Sequence, residues 1–556
     1  MRRAIVFGVL LSSVTALRAQ SVQEILDSRA LAREYNPVLV AFMLEEGKSR
    51  LGAKQQKDAL DQQLARFREE INVKPSGEIA ANVASLAGIF VKGDIGAGIA
   101  EGAASVWGGW VDAANVLQHA GYEKEVIPFY KNCVTSFPYE SLQARCAVAL
   151  AAAQPEQAIT FLTGLVNDKA SPEPAKSAAL RVLGQLAADT HFPKAQRDAA
   201  VDELIKRTEG FMNSTLYEAA VDGLVRAHDP RAVEPLRKMM KGMSKGDEVK
   251  RAAMRGLALT YKDQAGIDAL KGSLKGGFMS DANTQIFSAS TLILADEQAG
   301  YDWAADKLAK KKSAGRGFLS KVMASDSDKA ADPEPRLMRA LLDNGNEKSK
   351  ALLAQVADAH SPGEWIYARA NISLVTLGDT SRIDAVKKIV NSEQYIPEQR
   401  AGAAIALARQ KDYSGIAALG SILSDRRTDA GEKMAVANAL GVINQVESVA
   451  PLTQLLSDKD ANVRVTAAYA LSDMTKAAAL EGISKAVAVD YGSTDAGSRN
   501  PEVQAHLIRH AAKQFGKDPR TKTIIDSGKG SQYASVRFLA LALANAPSSA
   551  PAKKKA

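Results

Sequence analysis

Along this chain apolar residues return at three- and four-residue intervals, and they seldom alternate with polar ones. That spacing predicts amphipathic helices almost throughout and few strands. The stretch 449–474, VAPLTQLLSDKDANVRVTAAYALSDM, shows the unit: an amphipathic helix, an Asp-rich turn, and a second, Ala-rich helix opening at Asn462-Val463-Arg464. Other copies align on one leucine of the second helix. The column is Leu183, Leu224, Leu257, Leu292, Leu374, Leu407, Leu440 and Leu471, with steps of 41, 33, 35, 82, 33, 33 and 31. The step of 82 predicts a degenerate repeat between Leu292 and Leu374.

Four positions before each leucine stand Ala179, Ala220, Ala253, Ser288, Ala370, Ala403, Val436 and Ala467. Residues i and i+4 share a helix face, so this small-residue column marks where a neighbouring helix comes close. Seven positions before the leucine, five copies carry a base: Lys176, Lys250, Arg400, Lys433 and Arg464. Two readings are open for these bases. They form either a structural ladder to turn aspartates such as Asp458 and Asp460, or a basic stripe that binds a partner.

The helix, aspartate turn, Val-Arg and Ala-rich second helix of 449–474 resemble the short HEAT repeats of the phycobilisome-lyase type. The His119-Ala120-Gly121-Tyr122 stretch, a helix to Cys133, Pro138 and a further helix with Ala147 and Leu150 resemble a tetratricopeptide pair. Both resemblances imply an all-α, right-handed helical-hairpin solenoid, a HEAT/TPR-like superhelix. The expected organisation is a signal peptide at 1–19, an N-terminal helical region at 20–112, TPR-like hairpins at 113–166, HEAT-like repeats at 167–545 and a disordered tail at 546–556. About ten hairpins are expected from residue 113 onward.

The segments outside the repeats read as follows. Arg2 and Arg3 precede an apolar run, Ala4 to Leu17, that is too short to span a bilayer and has small residues near Ala19. This is a secretory pattern, which places the mature protein in the periplasm or outside the cell. Leu60, Leu64, Phe67 and Ile71 form a short seam suited to a capping helix pair. The Gly-rich stretch 88–110 lacks the order of a dinucleotide loop. Close helix packing is the favoured reading there, and membrane insertion or self-association the alternative. Polar insertions are expected at 312–335 and 490–500.

The net charge of +8 includes Arg2, Arg3 and Arg18 in the leader and Lys553, Lys554 and Lys555 in the tail. The small remainder and the export pattern argue against nucleic acid. His506 and His510 stand one helical turn apart, but no Glu follows either histidine as a metalloprotease requires. No histidine is followed by glutamate, as the iron sites of the HEAT-fold deoxyhypusine hydroxylases demand, and nothing specifies a bilin site. No catalytic residue, metal or cofactor is therefore assigned.

Cys133 and Cys146, the only cysteines, lie equidistant from the turn 136–141, and export predicts a disulfide between them. The expectation is an exported, non-catalytic scaffold that binds a protein or peptide on the concave face of the solenoid. The alternatives are an enzyme or enzyme subunit of the lyase-like HEAT group, and an envelope-associated assembly factor.

Overall fold

A computed structural model describes residues 123–544 except 137–139, 210–213, 243–245, 276–281, 310–332, 426 and 495–496, together with Val111, Ala114 and Gln118. The expected leader, the 60–71 seam, the Gly-rich stretch, the tail, Pro138 and most of the 312–335 insertion lie outside the described residues.

Among the described residues, twenty-four α-helices follow one another as hairpins. They are α1 (Glu123–Ser136), α2 (Glu140–Ala153), α3 (Pro155–Asn167), α4 (Glu173–Ala188), α5 (Lys194–Glu209), α6 (Ser214–Ala227), α7 (Val233–Lys241) and α8 (Asp247–Leu259). Then come α9 (Gln264–Leu274), α10 (Ala282–Leu294), α11 (Gln298–Leu308), α12 (Pro333–Asn344), α13 (Glu347–Ala359), α14 (Trp365–Thr376), α15 (Ile383–Asn391) and α16 (Pro397–Arg409). The last are α17 (Gly415–Ser424), α18 (Ala430–Ile443), α19 (Val446–Leu455), α20 (Ala461–Asp473), α21 (Ala479–Ala486), α22 (Asn500–Phe515), α23 (Pro519–Lys529) and α24 (Ala534–Ala544). Twelve hairpins therefore stand among the described residues, rather than about ten. The additional ones, α21 with α22 and α23 with α24, lie beyond Leu471.

Starts and stops follow local chemistry. Proline occupies the first turn of α3, α16, α22 and α23, where its missing N–H costs nothing. Asp429 opens α18 with a capping box to Glu432, and the Asp460 side chain accepts from the Asn462 and Val463 amides at the start of α20. The 490–500 insertion holds a minimal antiparallel pair, Ser493–Thr494 against Gly497–Ser498. The expected 312–335 loop ends early, because α12 already begins at Pro333.

The chain divides into two compact units. Among the described residues, one holds 127–415 and the other holds 416–544 with the residues up to 126. In the 127–415 unit the second helices α2, α4, α6, α8, α10, α12, α14 and α16 each pack on the next. The first helices α3, α5, α7, α9, α11 and α13 form a parallel layer. In the other unit α18, α20, α22 and α24 stack likewise, beside α19, α21 and α23. Each unit is thus a two-layer stack of helical hairpins, and the fold is an all-α solenoid.

The leucine and small-residue columns form the seam between second helices. Leu183, Leu224, Leu257, Leu292, Leu407, Leu440 and Leu471 are fully buried, as are Ala179, Ala220, Ala253, Ala370, Ala403, Val436 and Ala467. The degenerate repeat is α12. Leu341 fills the leucine place and Leu337 the small-residue place, both fully buried. The long step arises because α11 and α12 are separated by the residues 309–332.

Candidate functional site

The base column sits at the N-terminal turn of the second helices. Seven residues back from the leucine is only about 20° around the helix from it, so these bases lie on the packed side. The Lys433 ammonium meets the Asp458 carboxylate of the next hairpin's turn at 2.7 Å, with both side chains largely buried. Burial raises the Asp458 pKa, but hydrogen bonds from Lys433 and the Asp460 amide outweigh it and hold the carboxyl below its usual range. Arg464 takes no carboxylate. Its guanidinium donates to the Asp458 and Lys459 carbonyls at 2.7 and 3.1 Å, and to the Asp490 carbonyl at 2.7 Å. Asp460 serves as helix cap instead. Arg400 donates to the Val390 carbonyl at 2.8 Å, and burial lowers its pKa. Lys250 approaches only Asp247 of its own turn, at 3.9 Å. Lys176 helps to hold the Asp168 carboxyl low, behind the Ala170 amide and the Ser171 hydroxyl. Arg537 repeats the Arg464 arrangement on α24, donating to the Ser531 and Gln532 carbonyls.

A second set of ties, absent from the sequence reading, joins successive first helices. Arg237 of α7 bonds Asp263 before α9, Lys271 of α9 bonds Glu297 before α11, and Lys387 of α15 bonds Asp412 before α17. The offsets are 26, 26 and 25 residues. That base-to-acid spacing was the signal available in the sequence.

His506 and His510 do not converge on a ligand set. His506 sits between α22 and α20, its Nε2 3.1 Å from the Ser472 hydroxyl and its ring edge-on to Tyr469 at 4.9 Å. His510 turns to Phe515 at 5.9 Å. Burial, then the other histidine, lowers the His506 pKa. Cys133 of α1 and Cys146 of α2 are joined by a disulfide, with Cα atoms 6.1 Å apart. No helix among the described residues is long and apolar enough to cross a membrane.

The candidate interaction surface is the side of the second helices opposite the leucine seam. Positions two before, two after and five before the leucine lie about 160–220° from it. In the 127–415 unit they carry half-buried apolar side chains, Phe287, Leu294, Ile372 and Ile405, among polar ones. This side faces away from the leucine seam, and it runs from helix to helix without interruption because α4 to α16 stack directly.

The geometry defines a class first: a solenoid of helical hairpins with a leucine seam and capped aspartate turns. Residues 395–472 and 416–494 match the sequence profile of the HEAT repeats family, so the chain contains HEAT repeats over that stretch. No curated protein sequence matches it significantly.

Among solved structures, Kap95p in the complex concerning RanGDP is similar at 14% identity and a TM-score of 0.37, over 92% of this chain and 72% of that one. Human deoxyhypusine hydroxylase is similar at 14% identity and a TM-score of 0.22, over 64% of this chain and 98% of that one. The CpcE–CpcF phycocyanin lyase complex from Nostoc sp. is similar at 15% identity and a TM-score of 0.21, over 59% of this chain and 93% of that one. Likenesses of this size carry nothing about function.

Proposed function

We propose that the protein is an exported, non-catalytic scaffold that holds a protein or peptide against the outer side of its second helices. One observation carries this reading: the uninterrupted second-helix side of the 127–415 unit, with half-buried apolar side chains on α10, α14 and α16 among polar ones. A rigid stack that repeats one surface position is suited to an extended partner, because each hairpin adds one more contact of the same kind. Two features support export. The first is the basic and then apolar start of the chain. The second is the Cys133–Cys146 bridge, a bond that persists in oxidising compartments.

The test is crosslinking in the native source followed by purification of the adduct under denaturing conditions. The expected result is one polypeptide joined to the chain in a fixed ratio. Recovery of the chain only as an uncrosslinked species, at crosslinker levels that trap known complexes in the same extract, contradicts the scaffold reading.

A further inference from the structure

We propose that the partner segment held by the 127–415 unit is acidic, and that a row of unpaired arginines on successive second helices recognises it. The proposal rests on the scaffold reading above and adds the chemistry of the partner.

Arginines of this fold are generally spent on the fold itself. Arg231 bonds Asp198, Asp202 and Asp229, Arg237 bonds Asp263, and Arg382 grips Asp358 with two nitrogens. Five arginines of the second helices are different. Among the described residues, Arg226, Arg255, Arg336, Arg369 and Arg409 have no side-chain hydrogen bond or ion pair, and all but the half-buried Arg369 are exposed. They stand one apiece on α6, α8, α12, α14 and α16. Relative to the seam leucine they occupy only the positions five before, two before and two after. All five therefore point within about 60° of one another, on the side opposite the seam.

Across those three positions on the seven helices α4 to α16 there are seven arginines, two aspartates, and neither lysine nor glutamate. Both aspartates are already matched: Asp222 by Arg181 at 3.1 Å and Asp343 by Arg339 at 2.8 Å. The first-turn carboxylates Glu248 and Glu398 lie nearer the helix N-termini, and Glu248 is bonded to Arg251. At these three positions, among the described residues, five positive charges are left without a matched carboxylate. The seven arginines and two aspartates give these positions +5, more than the +2 left to the chain once the six bases of leader and tail are set aside, so positive charge is locally concentrated on the proposed binding surface.

Spacing favours a peptide. Packed helices lie about 8–10 Å apart, and every third residue of an extended chain advances about 10 Å. A carboxylate at every third position therefore meets one arginine per hairpin. The helix α10 interrupts the row and offers Phe287 and Leu294 in its place. The matching segment carries acidic residues on either side of an apolar one. Guanidinium groups suit this task because they hold a carboxylate with two parallel N–H groups. Base stacking for a single-stranded nucleic acid needs a run of aromatic platforms, and at these positions Phe287 is the sole aromatic residue.

The test uses the full chain and a fluorescent peptide with Glu at every third position, Leu at its centre, and Ser and Gly elsewhere, followed by anisotropy. Saturable binding that weakens as salt rises is expected. The double variant Arg255→Glu/Arg369→Glu should weaken it about tenfold or more, while its thermal midpoint matches wild type because neither side chain has a partner to lose. Unchanged affinity in that variant overturns the proposal. So does absence of saturable binding by wild type, or tighter binding of a thymidine oligonucleotide or of phosphatidylserine vesicles than of the peptide. A crosslinked partner that attaches to the second helices but lacks an acidic segment overturns this inference and leaves the scaffold reading standing. Failure of all crosslinking removes both.

Discussion

Lys411 follows α16 in a left-handed backbone conformation, φ +63°, and it is one of a column. His228, Lys262, Asp296, Gly345, Gly378 and Asn444 hold φ between +52° and +92° at the same place after their second helices. The conformation closes each hairpin onto the next. An L side chain with a Cβ costs about 1–2 kcal/mol there, and glycine avoids that strain. Lys411→Gly should therefore raise stability by about 1 kcal/mol, read as a higher denaturation midpoint; a lower midpoint would show that Lys411 has a role beyond geometry. Glycine and asparagine at 345, 378 and 444 made part of this column legible in the sequence. His228, Lys262 and Lys411 did not, because packing of the adjoining helices overrides their local preference.

Lys433 and Asp458 define the opposite case, a largely buried pair. Lys433→Ala strands the carboxylate and should cost about 1–3 kcal/mol, whereas Lys485→Ala, from an exposed pair with Glu481, should change little. Equal midpoints for the two variants contradict this assignment.

Between elements, close approach decides. Gly184 of α4 and Gly223 of α6 face each other so tightly that a Cβ on Gly184 runs into the Gly223 backbone. Gly184→Ala improves helix propensity by about 1 kcal/mol, but overpacking against backbone costs about 1–3 kcal/mol, so net destabilisation is expected. The same reasoning makes Ala467→Leu, at a fully buried seam position, more damaging than Arg464→Ala. A wild-type midpoint for Ala467→Leu would refute the repeat register.

The α20–α22 contact adds a pH dependence. The folded pKa of His506 is depressed below 6.5 by burial, then by His510 and Arg509, with Asp473 opposing. Its contribution is complete above 6.5 and is lost as pH falls through that value toward the folded pKa, because the unfolded chain takes the proton first. Stability should drop as pH falls below 6.5, and His506→Gln should flatten that drop. An equal slope in the variant would place the titration elsewhere.

At the scale of the molecule, the leucine and small-residue columns carried the fold into view, since a solenoid writes its core once per repeat. They also located the weak point, the step of 82, although only the structure shows that Leu337 takes the place of a small residue in α12. The proposed binding side was less legible. The base column drew notice because it is in strict register, yet that register puts it on the packed side, where it ties turns together. The unpaired arginines shift between three positions from hairpin to hairpin. They form a row only once helix geometry shows that those positions share one side, and only once the aspartates among them are seen to be matched by Arg181 and Arg339.

The most direct test of the account is a photocrosslinking scan of the full chain in its native setting. A photoreactive side chain is placed at Gln185, Arg255 and Thr376 on the second-helix side, and at Asp268 and Lys388 on first helices. The account predicts adducts with one partner polypeptide from the first three positions and none from the other two. Adducts confined to Asp268 and Lys388, or no adduct at any of the five, would contradict it.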